Sequence, residues 1–368
     1  MKKGFRTSDV QPRKAVGYIF VTLFLLCFLL VSGTPTMAVS THELPADSVD
    51  RSEKSPDDTS KAVENGDDGP VLHWETDYFV ASAKARERRK NLLIYFHAEE
   101  DSPSLLLESE ERFISTNSKA TNGSPIRQVT YISGTSQQPM PIAEACRQFC
   151  DDILSSREIA AELEQYVLVR LPLDAQDAYG NPLLEMPEFE EMLKLPGLTV
   201  IDFENDDKPY YLEVVGILPF VRAKTPTVAQ MSAFLTLPPG TLTQRLLIYA
   251  VRIHPDKPRS TEGTAHDLVI QAATEQAAYQ AKVNQLGHQN FGSRTNKLLA
   301  EMGGGSPSEI CAQGWSGEGV FEAAIGCVRA WRASSGHWRY MKAPHTYYGY
   351  DMVKSKNNTW YATGLFVD

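Results

Sequence analysis

One stretch near the N-terminus limits where this chain can fold. Ala15–Val31 (AVGYIFVTLFLLCFLLV) carries no charge and follows a flank holding Lys2, Lys3, Arg6, Arg13 and Lys14. At about 17 residues it stands on the border between a long signal-peptide core and a short transmembrane helix. A buried core helix is the competing reading, but no partner segment lies nearby in the sequence. The small residues around Thr36-Met37-Ala38 suit cleavage. If the segment is retained, the positive-inside rule keeps residues 1–14 in the cytoplasm and exports the rest. Residues 1–38 are therefore expected to be a signal peptide or a signal anchor, with the body secreted or held at the membrane outside the cytoplasm.

Residues 39–70 (VSTHELPADSVDRSEKSPDDTSKAVENGDDGP) have no aromatic side chain and are rich in Asp, Glu, Ser and Pro. Such a stretch buries too little apolar surface to offset the entropy of ordering, and reads as a disordered acidic tether. The folded part then begins near residue 71. The whole chain has 36 basic and 46 acidic residues, a net charge of −10. Residues 1–38 hold five of the bases and one of the acids, leaving 31 against 45, or −14, on the remainder. Phosphate backbones require a basic face, so nucleic acid is excluded as the expected partner.

Residues 71–236 have an α/β pattern. Residues 74–90 (WETDYFVASAKARERRK) place Tyr78, Phe79, Ala81 and Ala85 at helical spacing, and Leu92–Phe96 reads as a buried strand. From about 99 to 140 the chain is rich in Ser, Thr, Gly, Asn, Gln and Pro, which predicts an insertion. Residues 141–154 (PIAEACRQFCDDIL) read as a helix with Pro in the first turn, and Ser156 caps another. Val167–Leu171, Leu198–Phe203 and Tyr210–Val215 read as strands. This order resembles the thioredoxin-like superfamily. Trp74–Phe96 looks like its first helix and central strand, Cys146–Ile159 like the segment from the second cysteine of the redox pair into the next helix, and Pro196 like its cis-proline. That family carries Cys-x-x-Cys at a helix N-terminus, where the first thiol is activated. If Cys146 fills the second place, Ala143 stands in the first, so the attacking thiol is missing. Cys150, one helical turn on, offers a different redox or metal-binding pair with Cys146. Two buried small hydrophobes are the alternative.

Residues 237–368 read as an α+β domain. Thr241 or Thr243 can cap a helix over Leu242–Ile253, and Asp267–Leu286 reads as a long Ala- and Gln-rich helix ending at Gly287. Phe321–Arg332 is a third helix, and Tyr347–Val353 and Thr359–Val367 are closing strands. Trp331-Arg-Ala-Ser-Ser-Gly-His337 matches in spacing the Trp-x-x-x-x-Gly-His block of the cysteine-rich secretory protein superfamily, whose modules are also called CAP or SCP-like domains. The resemblance covers about 241–368 and implies an α-β-α sandwich. It implies a pocket of His288, Glu309 and His337, with Glu309-Ile310 standing near that family's Gly-Glu-Asn-Ile. Ser308 and Ile310 depart from that pattern, and Gln289 follows the first histidine.

Two histidines and a carboxylate can hold a divalent ion, zinc in particular, through His288 and His337. Without metal, His337 with Glu309 could act as acid and base. Glu318 or Glu322 could add a carboxylate. Cys311 and Cys327 are a disulfide candidate in an exported chain, two buried thiols being the alternative. The expected function is that of a non-catalytic binding or scaffold protein of the cell envelope, its partner an envelope protein or small molecule. The alternatives are an extracytoplasmic thiol–disulfide oxidoreductase using Cys146 and Cys150, and a metal-dependent hydrolase at His288, Glu309 and His337. Fold resemblance by itself supports none of these activities.

Overall fold

The computed structural model describes residues 72–99 and 140–368. The chain divides into two units, 1–65 and 66–368, and the described residues all belong to the second. The apolar run, the acidic tether and most of the insertion lie outside them.

The first sheet is built around β2 (Leu92–His97), whose six residues are all buried. β2 runs parallel to β3 (Val167–Pro172) and antiparallel to β4 (Gly197–Ile201). β1 (Trp74–Glu75) lies parallel to β3 on one edge, and β5 (Val214–Pro219) antiparallel to β4 on the other. The order is β1-β3-β2-β4-β5. Alternation along β2 sends successive rings to opposite faces. Tyr95 meets Phe149, with ring centroids 5.2 Å apart, while Phe96 meets Phe189 at 5.4 Å. α1 (Tyr78–Arg88) starts at Asp77, whose carboxylate accepts from the Phe79 and Val80 amides. α2 (Ile142–Gln148) runs on into a π-helical turn, Phe149–Leu154, and α3 (Arg157–Leu163) is capped by Ser156. α4 (Val228–Leu235) ends this half.

The second sheet has the order β6-β8-β9-β7, from β6 (Thr264–Ala265), β7 (Pro307–Gln313), β8 (Tyr347–Lys354) and β9 (Trp360–Val367). β7–β9–β8 is antiparallel, and β6 adds to β8 in parallel. Five helices accompany it: α5 (Leu242–Arg252), α6 (Asp267–Val283), α7 (Phe291–Met302), α8 (Val320–Ala333) and α9 (Ser335–Lys342). The described residues thus combine an α/β half and an α+β half, the class expected from the sequence.

α5 joins the two. Thr241 and Gln244 form its capping box, and residues 244 to 251 are buried without interruption. A helix buried all round must be covered on all sides. α5 packs on β5 of the first sheet and on β8 and α8 of the second. One apolar cluster runs from Leu93 and Val200 through Leu247 to Ala324 and Trp331. The buried Asp351 pins this arrangement, accepting from Thr243 Oγ1 at 2.7 Å, Thr274 Oγ1 at 2.6 Å and Gln244 Nε2 at 3.2 Å.

α6 lies hard against β8 at Gly349. A Cβ there would sit 2.4 Å from the Ile270 nitrogen and 2.5 Å from the Val269 carbonyl carbon. Backbone cannot yield as a side chain can. Gly349→Ala is expected to cost about 1–3 kcal/mol, the range for overpacking. Denaturant midpoints would show it, and a change below about 0.5 kcal/mol would refute the close packing.

Several expectations are corrected. Trp74 belongs to a strand, because it pairs with Leu168 before the helix begins. The last strand of the first sheet is 214–219 rather than 210–215, since Leu212 adopts a left-handed conformation (φ 66°) in the turn before it. No cis peptide occurs among the described residues, so the Leu195–Pro196 bond is trans. The close approach there is made by Gly197, whose Cβ position would lie 2.2 Å from Leu218 O. The long Ala-rich helix stops at Val283, because Asn284 takes the left-handed cap position. α7, β7 and α9 fill segments for which the sequence pattern predicted no element.

Candidate functional site

His288 sits on the turn between α6 and α7. Two glutamines fully buried on α6 shape that turn. Gln280 Oε1 accepts from the Gly287 amide at 3.2 Å, and its Nε2 donates to Thr363 Oγ1 on β9 at 3.0 Å. Gln276 Nε2 donates to Gly287 O at 2.6 Å. Buried amides with their partners satisfied fix one backbone path, so the position of His288 is set by α6 and β9.

Glu309 comes from β7, an edge strand. Its Oε1 lies 2.9 Å from His288 Nδ1, and its Oε2 is paired with Arg294 Nη2 from α7. Arg294 is held in turn by Gln276 Oε1 at 2.7 Å and Gln289 O at 2.9 Å. The Glu309 side chain is 1% exposed and that of Arg294 9%, whereas His288 is 49% exposed. The site is thus a buried acid–base pair with an imidazole lying over it toward solvent.

His337 reaches the same place from α9, where Ser334 caps the helix and accepts from the His337 amide at 3.4 Å. The two imidazole centroids are 6.2 Å apart. Burial first, and the neighbouring His288 second, hold the His337 imidazole below its usual value. The structure therefore pairs His288 with Glu309 and sets His337 beside His288. Glu318 and Glu322 do not join them. Glu322 lies in the first turn of α8 and Glu318 in the turn before it, where its Oε2 accepts from the Trp315 amide. Burial, then the Glu191 and Glu318 carboxylates, raise Glu322.

The disulfide expected between Cys311 and Cys327 is not formed; both are free, buried thiols. The reason is strand alternation. Ile310 and Ala312 face the cluster that contains Cys327, whereas Cys311 shares the Glu309 face. Cys311 Sγ is 3.7 Å from His288 Nδ1 and 3.7 Å from Glu309 Oε1. Burial, then the Glu309 carboxylate, push the Cys311 thiol far up. Burial likewise pushes Cys327 up to about 12.

Cys146 and Cys150 are also free. Cys146 is 2% exposed, its Sγ accepting from the Ala98 amide at 3.5 Å. Tyr95 Oη donates to Cys146 O at 3.1 Å and lies 3.8 Å from Cys150 Sγ. Burial, above all, raises the Cys146 thiol. A nucleophile requires the opposite, an exposed thiol with a lowered pKa.

Arg294, Gln276 and Gln280 were missed by the sequence reasoning. The glutamines did leave a signal. They fall four apart on the same stripe as Ala273 and Ala277, so polar groups occupy an apolar face. Nothing in the sequence marks Arg294 among the exposed bases of a polar helix.

No family model and no curated protein matches the sequence. Among solved structures, an outer surface protein from Borrelia burgdorferi aligns with 29% of this chain and 77% of its own, at 19% identity and a TM-score of 0.24. That superposition spans too little of the chain to define its fold.

Proposed function

We propose that this chain is an exported or membrane-anchored cell-envelope protein. In this reading a thioredoxin-like module and a CAP-like module serve as binding surfaces, without catalysis. The strand order β1-β3-β2-β4-β5, parallel at one end and antiparallel at the other, supports the first module. The meeting of His288, Glu309 and His337 beside an antiparallel sheet flanked by helices supports the second. The export reading rests on Ala15–Val31, outside the described residues. Among the described residues no helix is long and apolar enough to cross a membrane.

The observation that carries the non-catalytic reading is that the Cys146 thiol and the Glu309 carboxylate are already engaged. Cys146 is sealed beneath Ala98, and both oxygens of Glu309 are taken, one by His288 and one by Arg294. A general base needs a free, accessible oxygen, and a redox thiol needs access to its target.

Thiol chemistry tests this. In the native protein Cys146 is expected to resist an alkylating reagent until denaturant is added, while the half-buried Cys150 reacts sooner. The reduced protein is expected to turn over a model disulfide no faster than a Cys146→Ala/Cys150→Ala variant. Turnover above that background would replace this reading with the oxidoreductase one.

A further inference from the structure

We propose that His288 Nδ1, Glu309 Oε1 and Cys311 Sγ form a three-point site for a soft or borderline divalent metal ion, of which zinc is the natural occupant. The three atoms lie within 4.8 Å of one another. The separations are 2.9 Å for nitrogen to oxygen, 3.7 Å for sulfur to nitrogen and 3.7 Å for sulfur to oxygen. Zinc bonds of about 2.1 Å to nitrogen or oxygen and about 2.3 Å to sulfur, at tetrahedral angles, place such donors about 3.4 Å and about 3.6 Å apart. The two sulfur edges of the triangle match one face of a tetrahedron closely, and the nitrogen–oxygen edge, shortened by the hydrogen bond, has to open by about half an ångström. An ion enters by replacing the contacts that the three donors make with one another, and the Cys311 thiol gives up its proton to solvent as the sulfur–metal bond forms.

The surroundings suit a built site. Glu309 and Cys311 are two apart on β7, so the strand itself aims both at one face. Arg294 holds the other carboxylate oxygen and is itself fixed by Gln276 and Gln289. That is the outer-shell support that orients a metal-binding carboxylate. The exposed His288 leaves a fourth position open to water or ligand. A thiolate among the donors discriminates against magnesium and calcium, which take oxygen. His337 is no part of the triangle, so the site differs from an ion shared between the two histidines. The inference also stands apart from the envelope reading, because a binding protein need not hold metal, and a metal triad need not hydrolyse anything.

The test uses the full chain, stripped by a chelator and titrated with cobalt(II), then with zinc in competition with a chromogenic chelator. One equivalent of cobalt is expected to bind, with a thiolate-to-cobalt charge-transfer band in the near ultraviolet. Cys311→Ser and Cys311→Ala are expected to lose that band and weaken zinc binding by more than about tenfold, the lower range for changes even to outer-shell groups. His337→Ala is expected to keep both. A wild-type protein with no charge-transfer band overturns the proposal without any variant having to fold. So does undiminished zinc affinity in Cys311→Ser. Loss of binding in His337→Ala with retention in Cys311→Ser would place the ion between the histidines, and overturns it equally.

Discussion

Trp331→Ala is expected to lower the stability of the folded body by about 3–5 kcal/mol, the range for deleting a buried aromatic ring. Trp331 is 0% exposed and heads the fully buried side chains by volume. It stands on α8 against Tyr350, with ring centroids 5.8 Å apart, in the cluster that joins both sheets through α5. Neighbours tied into two sheets cannot close over the cavity, which favours the upper part of the range. A second variant separates volume from polarity. The indole Nε1 is buried and has no hydrogen-bond partner among the described residues. Trp331→Phe removes that unpaired donor along with part of the ring, so the desolvation penalty it relieves offsets part of the lost packing. Its cost is expected to be less than half that of the alanine variant. Urea titrations with unchanged slope would measure both. An alanine cost below about 1 kcal/mol would show that the residue is not the core keystone described here.

Arg294→Ala is expected to cost about 3–5 kcal/mol, the range for breaking a buried ion pair from one side. The loss is not the worth of the pair. It is the penalty of leaving the Glu309 carboxylate, 1% exposed, with only His288 and the Cys311 thiol on its other oxygen. Arg294 also satisfies Gln276 Oε1, so a second buried acceptor is stranded. Adding Glu309→Gln to Arg294→Ala removes the stranded charge. The double variant is expected to recover at least about 1 kcal/mol relative to Arg294→Ala, the coupling seen for groups in one network. Strict additivity of the two changes in urea unfolding would contradict the pairing.

Both predictions concern residues whose weight the sequence conveyed unevenly. Trp331 stood out as part of a spaced block with Gly336 and His337, and a tryptophan there reads as core, with lining a ligand groove as the alternative. In the fold it is core, and only His337 of that block faces the site. His288, Glu309 and His337 were singled out through the resemblance, and in the fold His288 lies on Glu309 with His337 beside it. Their supports were not singled out. Gln276 and Gln280 left only a trace, polar groups on an apolar stripe, which does not say what they hold until the covering strand is known. Cys311 was matched with Cys327 because both are cysteines in an exported chain. Strand alternation, once β7 is recognised, separates them at once.

What the sequence determined by itself is local. Thr241 with Gln244, Ser156 and Asp77 start helices because their side chains satisfy amides within three residues. The apolar run at Leu92–Phe96 is buried because it carries no charged side chain. Those causes act within a few residues, so they can be read without a partner. Which face of β7 meets α8 and which meets His288, and how one helix, α5, serves two sheets, were decided only by the tertiary structure. A strand's period of two says that Glu309 and Cys311 share a face. It does not say what covers that face, because the covering groups come from α6, α7 and β9, up to some fifty residues away in the chain.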